Sequence, residues 1–462
     1  MDFATRVTRS SRASSSRRDP RDVIDTLQSL LGSHLAREHF NYPTNSRPTV
    51  DWGVSISWLS SAQGQEVTLL ARAYPEPLGA ITSLRKQFGH LDPDLISQAL
   101  SQAQLQLRLE SRWNQSASHL LLTDDGISQA TRPEVARFRA ALIARKFGPN
   151  AHVLDMTCGL GFDARAFAEA GLRVSAIEID PDVAAMANHN LATFGITVEV
   201  TDATNFEIPS DVAVIFVDPA RRDPKAPKNA QGQTKRIFNP QQWSPSWDVI
   251  AEVSSHYPVL AKVAPGIDKD FIGTWDATWI SSDGDLVECL IDSTGGAQRT
   301  AVVISSKTNQ SLSISGGEQT KTEPLGKFLV IPDAALIRAS ALTQIANEIS
   351  GGLVNEHIAW LTSDNDSVVG NFAAKVPALG IVLEIEKHIK YSDKALVESV
   401  KGLAAAGVTI MTRGMQLDVE AIRKSLVKVK FAGSDELVVA IYRDDAGPQA
   451  LICRRYLSAD KS

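Results

Sequence analysis

The chain has 462 residues, of which 43% are apolar, and a formal net charge of −6. That length is more than one hydrophobic core serves, so two or three domains are expected, and no apolar run reaches the length of a membrane span. The acidic balance excludes a globally basic nucleic-acid binder, although it leaves local basic patches open.

Residues 1–20 mix serines with Arg6, Arg9, Arg12, Arg17 and Arg18. Too little apolar surface is present to order them, so a disordered tail is expected, a solvated leader or an upstream mis-start rather than a phosphate contact. It lacks the apolar stretch of a secretory signal. Residues 21–149 read as a mainly helical N-terminal domain, with no clear pattern before residue 90. Asp92 caps and Pro93 opens a helix with Ile96, Ala99, Leu100, Ala103 and Leu107 at helical spacing. A second helix starts after Thr131, with Pro133 in its first turn and Val135, Phe138 and Leu142 on one face.

From 150 to 306 strands and helices alternate: strands at 152–157, 173–179, 197–201 and 212–217, helices at 163–170 and 182–193, and later strands at 258–264, 285–291 and 299–305. This is the pattern of an α/β, Rossmann-like, doubly wound and mostly parallel sheet, whose ligand crevice lies outside the strand C-termini. Residues 307–324 are polar without periodicity and read as a linker. Residues 325–462 read as a small α/β domain. In it helices are expected at 333–349, 393–406 and 418–427, strands at 357–362, 408–412, 436–442 and 449–454, and an extended stretch at 379–385.

Within the alternating region, Val153 to Asp163 forms a strand ending in Asp155, a turn through Gly159 and Gly161, and a helix start. The glycines let a flat ligand lie against bare backbone. Glu178 ends the next strand, where a carboxylate can accept both hydroxyls of a ribose. The unit therefore reads as an adenosine site. Gly159-x-Gly161-x-x-Ala164 with Glu178 fits a dinucleotide fingerprint. Three acids favour S-adenosylmethionine instead. Asp155 would repel a pyrophosphate but suits the cationic methionyl end of that donor. Asp202 ends the third strand, placed for an adenine amino group. Asp218-Pro219 ends the fourth. Any one of these acids alone also reads as an ordinary capping residue.

Asp155-x-x-Cys158-Gly159-x-Gly161, Glu178-Ile179-Asp180 and Asp218-Pro219-Ala220-Arg221-Arg222 resemble the class I methyltransferases, in particular the bacterial subgroup with a THUMP-like domain at its C-terminus. The resemblance extends through Leu122–Pro133, Trp243-Ser244-Pro245, Lys262–Ile267, Asp283–Glu288, Pro332–Ala339 and Ile358–Asp364, from about residue 85 to near the end. It implies S-adenosylmethionine as cofactor, held by Asp155, Gly159, Gly161, Glu178 and Asp202. It also implies a THUMP-like domain over 325–462 and RNA as partner, not DNA or a membrane. Cys158, Cys289 and Cys453 are the only cysteines and lie far apart. No metal or disulfide is expected, and a reducing cytoplasm is the expected location. Cys158 reads as a space-filler beside glycine rather than a nucleophile.

Asp218 and Pro219 are the candidate catalytic pair. An exocyclic base amine is a poor nucleophile, and acceptors that bind its N–H groups localise its lone pair. In base N-methyltransferases the motif usually continues with a second proline and a stacking aromatic. Here Ala220-Arg221-Arg222 follows, leaving Arg221, Phe238 or Trp243 to face the base. Arg221, Arg222, Lys235 and Arg236 bound a basic loop suited to RNA phosphates, which Lys424, Lys428 and Lys430 can extend. Gln129-Ala130-Thr131 either reaches the methionyl end of the donor or only packs. The expected function is methyl transfer to tRNA or rRNA at a base amine such as guanine N2. The alternatives are a small-molecule or protein methyltransferase, and a catalytically silent RNA-binding protein.

Overall fold

The computed structural model describes residues 5–8, 52–74, 77–221, 236–317, 319–427 and 433–456. Two compact units divide the chain, Arg12–Tyr257 and Met1–Ser11 with Pro258–Ser462. Part of the expected tail is a strand, β1 (Thr5–Thr8), which pairs antiparallel with residues 407–410 in the same unit as Pro258–Ser462. The rest of that tail, and residues 21–51, lie outside the described residues.

The Arg12–Tyr257 unit opens with six helices: α1 (Trp52–Ser60), α2 (Ala62–Arg72), α3 (Pro77–Gln87), α4 (Pro93–Trp113), α5 (Asp124–Gln129) and α6 (Pro133–Phe147). Asp92 caps α4 by accepting the Asp94 N–H, and Pro93 stands at its first turn. The buried stripe of α4 holds Ile96, Ala99, Leu100 and Ala103 as expected, but continues through Gln106 and Leu109 rather than Leu107. Two buried glutamines are tolerated because each clamps backbone. Gln102 exchanges two hydrogen bonds with Leu122 (2.8 and 2.9 Å), and Gln106 donates to the Leu120 carbonyl (2.9 Å). The buried face of α6 is Val135, Ala136, Arg139, Ala140 and Ile143, so the expected Phe138 and Leu142 stand at its margin.

The same unit then alternates β2 (His152–Asp155), α7 (Phe162–Glu169), β3 (Arg173–Glu178), α8 (Pro181–Leu191), β4 (Val198–Val200) and β5 (Val214–Val217). All pairings are parallel, in the order β5-β2-β3-β4. Every residue of β2 and β5 is buried, as a parallel sheet covered on both faces requires. The helical region and this sheet share one core. Leu160 and Met186 pack in the cluster of α1–α4, and Asn190 of α8 bonds the Leu121 N–H, the Leu121 carbonyl and the Leu160 carbonyl (2.8, 3.0 and 3.0 Å). The compact unit therefore crosses the position, 149/150, at which the sequence places a boundary.

The second unit holds strands of two sheets. To one belong β6 (Val259–Val263), β7 (Asp276–Ser282), β8 (Asp285–Asp292), β9 (Arg299–Ile304) and β10 (Ser311–Ser315), in the order β10-β9-β7-β8-β6. The other comprises β11 (Phe328–Pro332), β12 (Gly352–Asn355), β13 (Ile358–Ser363), β14 (Gly380–Lys390), β15 (Gly407–Arg413), β16 (Glu436–Asp444) and β17 (Gly447–Arg455), in the order β1-β15-β16-β17-β14-β11-β13-β12. Three expectations are corrected here. Residues 307–324 hold β10, paired antiparallel with β9, so this stretch is part of a sheet. The helix expected over 333–349 is two, Ala334–Arg338 and Leu342–Glu348, broken where Ser340 takes a φ of 56°. The strand β7 went unforeseen, although Asp283 and Gly284, both at positive φ, form the two-residue turn that pairs it with β8.

Candidate donor and acceptor site

The carboxyl ends of β2–β5 carry the expected acids. Asp155 is the last residue of β2 and Glu178 the last of β3; Asp202 follows β4 and Asp218 follows β5. Backbone bonds carry the ladder past the strand ends: Met156 N–H to the Phe216 carbonyl (2.9 Å), Cys158 N–H to that of Ile177 (3.0 Å) and Thr201 N–H to that of Glu178 (3.1 Å). The acids thus stand on one edge of one sheet.

Gly159 and Gly161 both adopt left-handed φ, 55° and 86°. A Cβ on Gly161 would come within 2.9 Å of the Leu191 side chain, whereas one on Gly159 would meet nothing within 4 Å. Gly161 is therefore required for the helix to pack, and Gly159 leaves bare backbone beside open space. The Gly159 N–H donates to Glu178 Oε2 (2.9 Å) and the Asp180 N–H to Oε1 (3.0 Å). Glu178 holds the glycine loop and the start of α8 together.

Asp155 is 1% exposed; Oδ1 accepts the Thr157 N–H (3.2 Å), and Oδ2 is buried without a hydrogen-bond partner. Burial, then the nearby Asp163, Asp218 and Glu178 carboxylates, pushes the Asp155 carboxyl well above its ordinary range, against the Thr157 hydrogen bond. A buried carboxyl with an orphaned oxygen among other acids fits a cationic group, such as the methionyl ammonium of S-adenosylmethionine. Burial, reinforced by Asp155, Glu178 and Asp163, also holds the Cys158 thiol well above its usual range, which suits a space-filler and not a nucleophile. Asp202 is half-buried; Oδ1 accepts from the Thr204 N–H and hydroxyl (2.8 Å each), and these bonds lower its pKa.

Sequence reasoning missed Arg139. It is fully buried on α6, ion-paired with Asp163 Oδ1, and its guanidinium lies 4.7 Å from the Phe216 ring centroid. Thr131 donates to the other oxygen of Asp163 (2.8 Å), so the Gln129–Thr131 segment anchors this pair. An arginine on the apolar stripe of α6 was the available signal. Ile179, directly after Glu178, was also missed as a surface feature and is 57% exposed.

At the fourth strand end, the Asp218 N–H donates to Thr157 Oγ1 (2.7 Å), Asp218 is half-buried and Pro219 buried. Ala220 and Ser244 exchange two backbone bonds (2.8 and 3.1 Å), and the Ile237 N–H donates to the Arg221 carbonyl (2.8 Å). Of the expected stacking residues, Trp243 is 5% exposed and edge-on to Trp247, so packing commits it, while Phe238 is 81% exposed. Arg221 is half-buried and Arg236 exposed. Arg222, Lys235, Lys428 and Lys430 lie outside the described residues; Lys424 is exposed.

Known proteins match both parts of the chain. The family model described as RNA cap guanine-N2 methyltransferase matches residues 150–207, and the one described as THUMP domain-like matches 380–455, from the first residue of β14 to the last of β17. An uncharacterized S-adenosylmethionine-dependent methyltransferase of Mycobacterium tuberculosis, with the same figures in strains CDC 1551 and H37Rv, is 27% identical over 384 residues, 80% of this chain and 99% of that one. A crystal structure from Porphyromonas gingivalis W83, titled as a methyltransferase, is similar in fold: TM-score 0.58, 18% identity, covering 82% of this chain and 98% of that one. The fold is the Rossmann-like α/β fold of class I methyltransferases. These matches make the chain an S-adenosylmethionine-dependent methyltransferase, with a THUMP-like match over residues 380–455.

Proposed function

We propose that this methyltransferase modifies RNA, tRNA or rRNA, at a base exocyclic amine such as guanine N2. The carrying observation is the Asp218-Pro219 turn, tied through Thr157 to the strand end that bears Asp155. The RNA cap guanine-N2 description of the match over 150–207 and the THUMP-like match support the RNA substrate.

The donor set proposed is Asp155 for the methionyl ammonium, the backbone of Gly159 and Gly161, Glu178 for the ribose hydroxyls and Asp202 for the adenine amino group, with Ile179 offering an apolar face. S-adenosylmethionine, when bound, supplies an activated methyl group for in-line displacement. The chain's part is to hold the amine straight and to accept its N–H groups on the Asp218 carboxylate and the Pro219 carbonyl, so that the lone pair turns toward the donor. Arg221, Arg222, Lys235, Arg236 and the THUMP-like segment are proposed to bind RNA phosphates. The three cysteines are free and buried, which supports a reducing cytoplasm as the place of action.

The test is nucleoside mass spectrometry of total RNA from a deletion strain, followed by methylation of that RNA with purified protein. Loss of one methylated base, restored in vitro, is the expected result. An unchanged nucleoside profile, with methyl incorporation into a protein or small-molecule fraction, would overturn the RNA reading. Ala220-Arg221 in place of a proline and aromatic favours that second reading.

A further inference from the structure

The Asp218-Pro219-Ala220-Arg221 motif lacks an aromatic, yet an extruded base held by its edge still needs a surface for its face. Among large apolar side chains in the described residues Phe238 is the most exposed, at 81%, against 59% for Leu69, 57% for Ile179, 54% for Val376 and 53% for Val200. A single exposed phenylalanine is unremarkable; one whose backbone is fixed on both sides is not. Ile237, immediately before it, donates its N–H to the Arg221 carbonyl (2.8 Å) and accepts the Trp243 indole N–H on its own carbonyl (3.1 Å). Asn239, immediately after it, caps the short helix Pro240–Gln242 through the Gln241 N–H (3.1 Å), and Pro240 is buried. The Ala220–Ser244 bridge closes the same loop onto the Asp-Pro turn. The anchors hold the backbone beside Arg221, while the side chain of Phe238 stays largely exposed.

We infer that Phe238 is the stacking surface for the acceptor base, supplying from a neighbouring loop the aromatic face that the Asp-Pro motif lacks. This rests on the RNA-base reading above and deepens it: the substrate is an unstacked or single-stranded base, read by Asp218 and Pro219 at its edge and by Phe238 on its face. Stacking tolerates any base, so identity comes from the edge contacts and Phe238 contributes affinity and alignment.

The experiment uses the full chain, radiolabelled S-adenosylmethionine and total RNA from a deletion strain. Wild type must label this RNA; if it labels none, the RNA reading falls and the inference falls with it. Where wild type labels RNA, Phe238→Ala is expected to lower kcat/KM on the order of tenfold to a hundredfold, with donor affinity by calorimetry and melting temperature unchanged. Phe238→Tyr and Phe238→Trp should stay within about threefold of wild type, and Phe238→Leu, which keeps bulk without a π-face, should stay low. Phe238→Ala within twofold of wild type, or Phe238→Leu as active as Phe238→Tyr, would overturn the inference while leaving the RNA reading intact.

Discussion

Replacing Arg139 by methionine isolates the buried ion pair that stands beside the proposed donor residues. The Arg139 side chain is 0% exposed and that of its partner Asp163 11% exposed, so the pair sits in low dielectric. Without the guanidinium, Asp163 keeps, among the described residues, the Thr131 hydroxyl (2.8 Å), and it stands beside the Asp155 carboxyl, whose pKa it already raises. Breaking one side of a buried ion pair costs about 3–5 kcal/mol, because the remaining charge is left uncompensated. The contact over Phe216 is also lost. Because the chain has two compact units, hydrogen exchange by mass spectrometry over residues 133–169 reads this loss better than a global melt. Exchange there should quicken roughly 150- to 5,000-fold. Adding Asp163→Asn removes the orphaned charge and should recover at least about 1 kcal/mol of the loss. If Arg139→Met slowed or barely changed exchange, or the double variant recovered nothing, the pair would be a packing feature without electrostatic weight.

Glu178→Ala should weaken S-adenosylmethionine binding by about 2–4 kcal/mol, roughly 30- to 1,000-fold by calorimetry, since a ribose acceptor and the anchor of Gly159 go together. Asp218→Ala should leave that affinity intact and lower kcat on the order of a hundredfold, and normal turnover would end the base-amine mechanism. Burial holds the folded Asp155 carboxyl above its unfolded value, so the folded state loses about 1.4 kcal/mol per pH unit as pH rises from about 3.9 toward the folded pKa, and nothing below that window. Asp155→Asn should therefore raise the melting temperature in neutral buffer, but not near pH 4, while weakening donor binding at neutral pH. RNA binding should fall steeply with salt, and replacing Lys235 and Arg236 by alanine should reduce the log–log slope by up to roughly 0.7 per lost single-strand contact; a flat salt dependence in fluorescence anisotropy would favour a substrate other than RNA.

The βαβ alternation was legible because each of its signals is local: short strands with apolar centres, a helical stripe and two glycines in one turn. Expected strands at 152–157, 173–179 and 212–217 stand at His152–Asp155, Arg173–Glu178 and Val214–Val217. The order of acids at strand ends followed, since strand ends can be placed once strands can. Pairing across the chain was not legible. Arg139 and Asp163 lie 24 positions apart on different helices, and no periodicity relates them. The Asp283-Gly284 turn was present to be read, but β10 in the polar 307–324 stretch owes its strand to β9, and an edge strand needs no apolar run of its own. Phe238 and Trp243 look alike as aromatic candidates in sequence. Only the tertiary structure separates them, because burial is decided by which surfaces close over a side chain: Trp243 packs on Trp247 and bonds Ile237, and Phe238 faces outward from the loop those contacts hold.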